Sequence, residues 1–111
     1  MGKFFKFSDR FVTVTFFEED PIRLTMQIGD EQDRKIISAS ELIAEGSKTQ
    51  NLEKRAKCFA AALDEVIGRE NLVKLLERSP EKDSFAMLEI WHYLIDAYGA
   101  QKVKNLSASA R

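Results

Sequence analysis

The feature that most constrains the fold is an amphipathic helix predicted within residues 52–76. Apolar residues recur there at the spacing of one helical face, and charged residues occupy most of the other positions. The apolar face consists of Leu52, Ala56, Phe59, Ala60, Leu63, Val66 and Ile67. Gly68 follows the last apolar pair, where a glycine commonly ends a helix, and residues 69–76 predict a short second helix. A helix with one apolar face needs an apolar partner surface, so the flanking residues must supply one.

The residues before this helix predict β-strands. Residues 11–17 are β-branched or aromatic throughout, and residues 22–28 alternate between apolar and polar side chains. The acidic turn that ends in Pro21 lies between them and predicts an antiparallel hairpin. Residues 34–38 predict a third, short strand. Together these strands predict a meander with one apolar face, which requires a helical cover because a lone hairpin is marginally stable in water.

The remaining residues predict the helical part of the fold. Ser38 and Glu41 have the spacing of a capping box, which predicts a helix start at this point, and Gly46 with Ser47 interrupts the apolar face that follows. The expected fold class is therefore α+β. An N-terminal antiparallel β-meander of about three strands packs against a C-terminal bundle of three to four helices.

A last helix is predicted over residues 85–98, with Asp83 or Ser84 as its N-cap and Gly99 as its end. Its side chains are apolar on almost all sides, which is typical of a helix at the centre of a core or at a partner interface. Residues 100–111 are small, polar and mildly basic, and we expect them to fray. The whole chain, residues 1–111, is expected to form a single domain.

Composition and charge argue against several function classes. The 111 residues include 17 Lys and Arg against 18 Asp and Glu, a balance that disfavours nucleic-acid binding through overall basicity. A single cysteine cannot form an internal disulfide, which favours a reducing compartment. No apolar run reaches the roughly 20 residues that span a bilayer, and the first residues lack the features of a signal peptide. We therefore expect a cytoplasmic protein that binds neither membrane nor nucleic acid.

The residues with reactive or metal-binding side chains form no recognisable site. His92 is the only histidine, with Glu89 and Asp96 on the same predicted helix face, but the bundle metal sites with Glu-x-x-His need a second such motif. Cys58 has no base at a suggestive spacing. The acidic residues 30–33 do not fit the calcium-loop pattern. The sequence therefore predicts no catalytic, cofactor or metal site and a function other than catalysis.

Two apolar segments exceed what a small core needs, and they predict a protein–protein interface. The first segment lies within the first seventeen residues and is rich in phenylalanine: Phe4, Phe5, Phe7, Phe11, Phe16 and Phe17. Within it, residues 1–10, with Phe4, Phe5 and Phe7, predict either an edge strand or an arm that docks on a neighbour. The last helix contributes Trp91, Tyr93 and Tyr98, and aromatic residues of this kind dominate the energetics of interfaces. The alternative is that sheet and helix simply cover each other and leave no apolar surface for a partner.

The order of these parts resembles small proteins encoded in the tail gene clusters of tailed phages and prophages. The residues that carry the resemblance are the stretch 59–68 (FAAALDEVIG), Asn71, Leu75 with Leu76, and the aromatic-rich helix over 85–98. The resemblance implies a tail assembly chaperone or minor tail protein without catalytic residues. It also implies protein partners among the tail components, self-association, and a location in the host cytoplasm or in the virion.

A second hypothesis comes from a different class of protein. The sheet and helices could enclose a small apolar pocket, as in a bacterial regulatory or ligand-binding domain. Met26, Phe59 and Trp91 are the side chains expected to line such a pocket. A solid core at these three residues would count against it.

Overall fold

The computed structural model describes residues 10–109, which form an α+β fold of one β-hairpin and four helices. The elements are β1 (Phe11–Phe16), β2 (Ile22–Gln27), α1 (Asp30–Lys48), α2 (Leu52–Ile67), α3 (Arg69–Arg78) and α4 (Ser84–Ser109). The predicted fold class is confirmed, but the sheet in this part of the chain has two strands instead of about three.

The hairpin contributes one of its faces to the core. β1 and β2 pair antiparallel, with Val14 opposite Leu24. The side chains that alternate inward, Val12, Val14, Leu24 and Met26, are all buried. On the outer face, the hydroxyl oxygens of Thr13 and Thr25 lie 3.0 Å apart in a cross-strand hydrogen bond. The alternation in the sequence therefore predicted both the strands and the face that packs.

The prediction of a third strand was wrong, because residues 34–38 lie inside α1. Asp30, Glu31 and Asp33 occupy the first turn of this helix, where negative charge interacts favourably with the helix dipole. The helix start therefore lies eight residues before the predicted capping box at Ser38. The Ser38 hydroxyl instead donates to the Glu65 carboxylate on α2, at 3.2 Å.

Gly46 does not interrupt α1 but marks its closest approach to α2. The glycine is buried, and a Cβ atom placed on it would lie 2.8 Å from the Phe59 ring and 2.9 Å from Cys58 Cβ. Arg55 fastens the same junction, since its guanidinium donates to the carbonyls of Gly46 and Thr49 at 3.3 and 2.7 Å. The α1 C-terminus therefore receives its hydrogen bonds from α2.

α2 and α3 follow the predicted course. Phe59, Leu63 and Val66 are buried, although Leu52, the first residue of the predicted apolar face, is exposed. Gly68 ends α2 with a positive φ of 86°, and its N–H donates to the Asp64 carbonyl at 2.8 Å. α3 starts at the next residue, so the prediction of a glycine stop and a restarted helix is confirmed.

α4 continues ten residues beyond the predicted end at Gly99. One glycine in a helix costs only about 1 kcal/mol relative to alanine, which neighbouring contacts can offset. Such a contact lies one turn later, where Lys102 forms an ion pair of 2.8 Å with Asp33 on α1. The buried stripe of α4 is Met87, Ile90, Trp91, Leu94 and Tyr98.

Candidate binding cleft

A cleft with a volume of about 410 Å³ opens where the hairpin, the end of α3 and the start of α4 meet. We call it the aromatic cleft, because four of its lining residues carry aromatic rings. It is lined by Thr15, Phe16, Phe17, Leu75, Ser79, Pro80, Glu81, Phe85, Ala86, Glu89, Ile90 and Tyr93. Its size falls in the range of about 300–1,000 Å³ that is common for binding pockets.

The hairpin supplies one aromatic wall through Phe16 and Phe17, the last residue of β1 and the first of the loop. Phe17 has a φ of 69°, a left-handed conformation that is uncommon for a bulky side chain. Asp20 in the same loop has a φ of 50°. Strained backbone of this kind costs about 1–3 kcal/mol and persists only where surrounding contacts hold it.

Arg78, the last residue of α3, makes those contacts. Its guanidinium carbon lies 4.5 Å from the centroid of the Phe17 ring, a cation–π geometry. The same guanidinium donates to the Glu19 carbonyl at 2.7 Å and to the Asp20 carbonyl. One side chain therefore ties the strained loop to α3 and fixes the position of the hairpin wall.

The first three turns of α4 supply the opposite wall. Asp83 sets the start of this helix, because its carboxylate accepts a hydrogen bond of 3.0 Å from the Ala86 N–H, as predicted for an N-cap. Phe85 and Tyr93 project from α4 with 65% and 63% of their surfaces exposed. The Tyr93 ring lies 5.9 Å from the Phe16 ring, so the two walls touch through an aromatic pair.

The charge of the cleft is negative. The charged residues among its described lining are Glu81 and Glu89, and neither forms an ion pair with another described residue. The hairpin loop adds three consecutive acidic residues, at positions 18–20. Two basic residues, Arg78 and Lys82, also lie nearby, so five acidic residues outnumber two basic ones in this region. The aromatic cleft is therefore suited to an apolar ligand that also carries positive charge.

The structure separates the six predicted interface residues into three groups. Tyr93 is exposed and lines the aromatic cleft. Trp91 and Tyr98, in contrast, are only 6% and 5% exposed and belong to the core, so they offer little accessible surface in a single copy of the chain. Phe4, Phe5 and Phe7 lie outside the described residues.

Tyr98 is the centre of a polar contact between α4 and α1. Its hydroxyl donates to Asp33 at 2.7 Å, and Lys102 donates to the second oxygen of the same carboxylate at 2.8 Å. The hydrogen bonds from Lys102 and Tyr98 lower the pKa of Asp33. Burial, together with the hydrogen bond to Asp33, raises the pKa of Tyr98 to about 12. The contact therefore favours a charged Asp33 and a neutral Tyr98.

Replacing Asp33 with asparagine is expected to lower the free energy of unfolding by about 1 kcal/mol at pH 7, a modest value because both ionic partners are partly exposed. The pKa of Asp33 is lower in the folded chain than in the unfolded chain, where it is about 3.9. The carboxylate therefore stabilises the fold above about pH 4, and this contribution disappears as the pH falls through the folded pKa. Urea unfolding at pH 7 and at acidic pH measures the difference.

Glu31→Gln is the control for Asp33→Asn, because it removes a charge from the same helical turn without touching Tyr98 or Lys102. Its effect is expected to be about 0.5 kcal/mol or less, as for other exposed charges at a helix start. If both variants lowered the free energy of unfolding equally, the contact of Asp33 with Tyr98 and Lys102 would contribute nothing specific. The same would follow if the loss in Asp33→Asn persisted at acidic pH.

The residues with reactive side chains are dispersed over the helices. Cys58 is a free, half-buried thiol on α2, and His92 is exposed on α4 beside Glu89 and Asp96. Among residues 10–109, no three His, Cys, Asp or Glu side chains are grouped as metal ligands would be.

Several residues of the aromatic cleft were not recognised in the sequence as site residues, namely Phe16, Phe17, Arg78 and Phe85. Phe16 and Phe17 belong to the phenylalanine-rich N-terminal segment but were not among the predicted interface residues, and nothing in the sequence distinguished Arg78. A second local signal exists for Phe85, an aromatic residue two positions after a helix cap and off the buried stripe of α4. The cleft itself arises from tertiary contacts between segments about 60 residues apart in the chain.

Comparisons with models of protein families, with curated proteins and with solved structures found no match. None of the helices among residues 10–109 combines the length and apolar character needed to cross a bilayer.

Proposed function

We propose that this chain is a non-enzymatic protein-binding domain whose aromatic cleft holds a short apolar segment of a partner. The observation that carries the proposal is the pair Phe85 and Tyr93, two large aromatic side chains left mostly exposed beside a concave surface. Aromatic side chains around a pocket are the usual source of binding energy at protein interfaces. The rigid position of the hairpin wall, held by Arg78, lowers the entropic cost of binding.

The class of partner follows from the sequence resemblance alone. Proteins encoded in phage and prophage tail gene clusters act on other tail components, so we propose that the partner is a tail protein and that the chain assists assembly of the tail or is incorporated into it. Co-expression with the proteins encoded beside it tests this extension. A chain that purifies without any of those proteins would exclude it and would leave the binding function of the cleft to be tested separately.

Peptide binding is the direct test of the cleft. Peptides selected from a random displayed library on the immobilised chain are expected to contain aromatic residues, and Phe85→Ser is expected to weaken their binding at least tenfold, or about 1.4 kcal/mol. Fluorescence anisotropy of the labelled peptides measures the affinity. The matched control is Val103→Ser on the same helix, which removes an equally exposed apolar side chain away from the cleft.

Val103→Ser is expected to change the affinity less than twofold, because single exposed contacts outside a binding hot spot contribute little. Similar losses from Phe85→Ser and Val103→Ser would place the binding surface along the whole exposed side of α4. If no peptide binds, the proposed function is wrong.

A small-molecule ligand is the second candidate, since a volume of about 410 Å³ is also sufficient for a compact apolar compound. Its location would differ from the pocket expected from the sequence, because Met26, Phe59 and Trp91 are all buried in the common core. A compound bound in the aromatic cleft would compete with the selected peptides, whereas a compound bound within the core would not.

A further inference from the structure

Residues 3–7 of this chain, Lys-Phe-Phe-Lys-Phe, combine the two properties that the aromatic cleft favours. Three of the five side chains are aromatic, which suits walls built from Phe16, Phe85 and Tyr93. The other two are lysines, whereas the charged residues in the described lining of the cleft are both glutamates. Opposite charges at the rim of an apolar site guide and orient the ligand.

We propose that residues 3–7 of one copy of the chain, hereafter the Phe-Lys segment, bind in the aromatic cleft of a second copy. This inference rests on the proposed function and names the segment that fills the cleft. Two copies that exchange their segments form a closed, symmetric dimer, in which each cleft is occupied once.

The geometry of the hairpin favours a second copy over the same one. The Arg10 carbonyl accepts a hydrogen bond of 2.8 Å from the Ile28 N–H, so Arg10 is fixed at the open end of the hairpin. The cleft lies at the other end, beside Phe16, and six strand residues span about 20 Å. Phe7 is only three residues before Arg10 and reaches about 10 Å along its own copy. The three phenylalanines therefore cannot all enter the cleft of the copy to which they belong.

The apolar surface is sufficient for a dimer. A phenylalanine side chain buries about 150–250 Å², so the six phenylalanines of two exchanged segments contribute on the order of 1,000 Å² from their side alone. The clefts contribute a comparable area, and stable interfaces bury about 1,200–2,000 Å² in total. Exchange of both segments therefore reaches the size of a specific interface.

The oligomeric state of the full chain across a concentration series, measured by light scattering, tests the proposal. The unaltered chain is expected to be a dimer. The segment variant (Phe4→Ser, Phe5→Ser and Phe7→Ser) and the cleft variant (Phe85→Ser with Tyr93→Ser) are each expected to be monomeric. Since Phe85 and Tyr93 are mostly exposed, the cleft variant is expected to stay folded, and circular dichroism checks that both variants do so.

Mixing the two variants is the decisive step. The segment variant keeps an intact cleft and the cleft variant keeps an intact Phe-Lys segment, so the mixture is expected to form a heterodimer through one exchanged segment. The variant Lys3→Glu with Lys6→Glu is expected to weaken dimerisation of the full chain at least tenfold, and raising the salt concentration to weaken that of the unaltered chain. A segment variant that stays dimeric, or an unaltered chain that stays monomeric, overturns the proposal.

The peptide measurements distinguish this failure from failure of the proposed function. If the selected peptides bind in the aromatic cleft while the chain stays monomeric, the exchange of segments is wrong and the binding function stands. If the Phe-Lys segment does occupy the cleft, the segment variant is expected to bind the selected peptides more tightly than the unaltered chain, because no internal competitor remains.

Discussion

Replacing Trp91 with alanine is expected to lower the free energy of unfolding by about 3–5 kcal/mol, the usual cost of removing a large buried aromatic side chain. The indole is 6% exposed and packs within the core cluster that also contains Leu94, so its removal leaves a cavity that the rigid surroundings fill only partly. Urea denaturation followed by far-UV circular dichroism measures the loss. Fluorescence cannot serve for this variant, because Trp91 is the only tryptophan of the chain.

Tyr93→Ala is the matched comparison for Trp91→Ala, since it removes an aromatic side chain from the same turn of α4. Tyr93 is 63% exposed, and its loss is expected to cost about 1 kcal/mol of stability, the worth of its contact with Phe16. Its effect on peptide binding is expected to be large. A stable Trp91→Ala variant with impaired binding would instead support the sequence-based prediction that Trp91 is an accessible interface residue.

The parts of the fold that the sequence predicted correctly are those specified by local patterns. Alternation in residues 22–28 assigned β2 and its buried face, because a strand places successive side chains on opposite sides. The apolar repeat of α2 and the glycine at position 68 defined a helix and its end in the same way. These signals depend on a few neighbouring residues, and tertiary contacts did not alter them.

The errors occurred where a local pattern had two readings. Ile36 and Ile37 suggested a strand, but Ile36, Ala39 and Ile43 also follow a helical spacing, and Ala39 is fully buried. In the structure this stripe packs into the core, and α1 lies against α2. At Gly99 a glycine suggested a helix end, yet the contacts of Lys102 with α1 favour continuation. Such contacts join residues far apart in the chain, so no window of sequence contains them.

The candidate site depends even more on tertiary structure. The sequence indicated surplus aromatic residues on the last helix but could not separate Trp91 and Tyr98, which enter the core, from Phe85 and Tyr93, which remain exposed. These residues differ in the face of the helix on which they lie. Because α4 is apolar on almost all sides, the sequence does not show which face is buried. The packing of α2 and β1 against α4 determines which residues line the aromatic cleft.

The close approach of α1 and α2 gives the second large effect. Gly46→Ala is expected to lower the free energy of unfolding by about 1–2 kcal/mol, although alanine is the better helix former by up to about 1 kcal/mol. The added methyl group would lie 2.8 Å from the Phe59 ring and 2.9 Å from Cys58 Cβ. Phe59 is 2% exposed and cannot move away, and Cys58 Cβ is attached directly to the α2 backbone, so the two helices must separate. Thermal and urea denaturation measure the change.

Gly99→Ala is the control, because it makes the same substitution within a helix where, apart from the neighbouring residues and backbone of α4 itself, no described atom lies within 4 Å of the new Cβ. It is expected to raise the free energy of unfolding by about 0.5–1 kcal/mol through helix propensity alone. The free energy of unfolding is therefore expected to fall in Gly46→Ala and to rise in Gly99→Ala. The difference between the two changes measures the cost of crowding at Gly46, separate from the helix propensity of alanine. If Gly46→Ala were also stabilising, α1 and α2 would have to lie further apart than the structure places them.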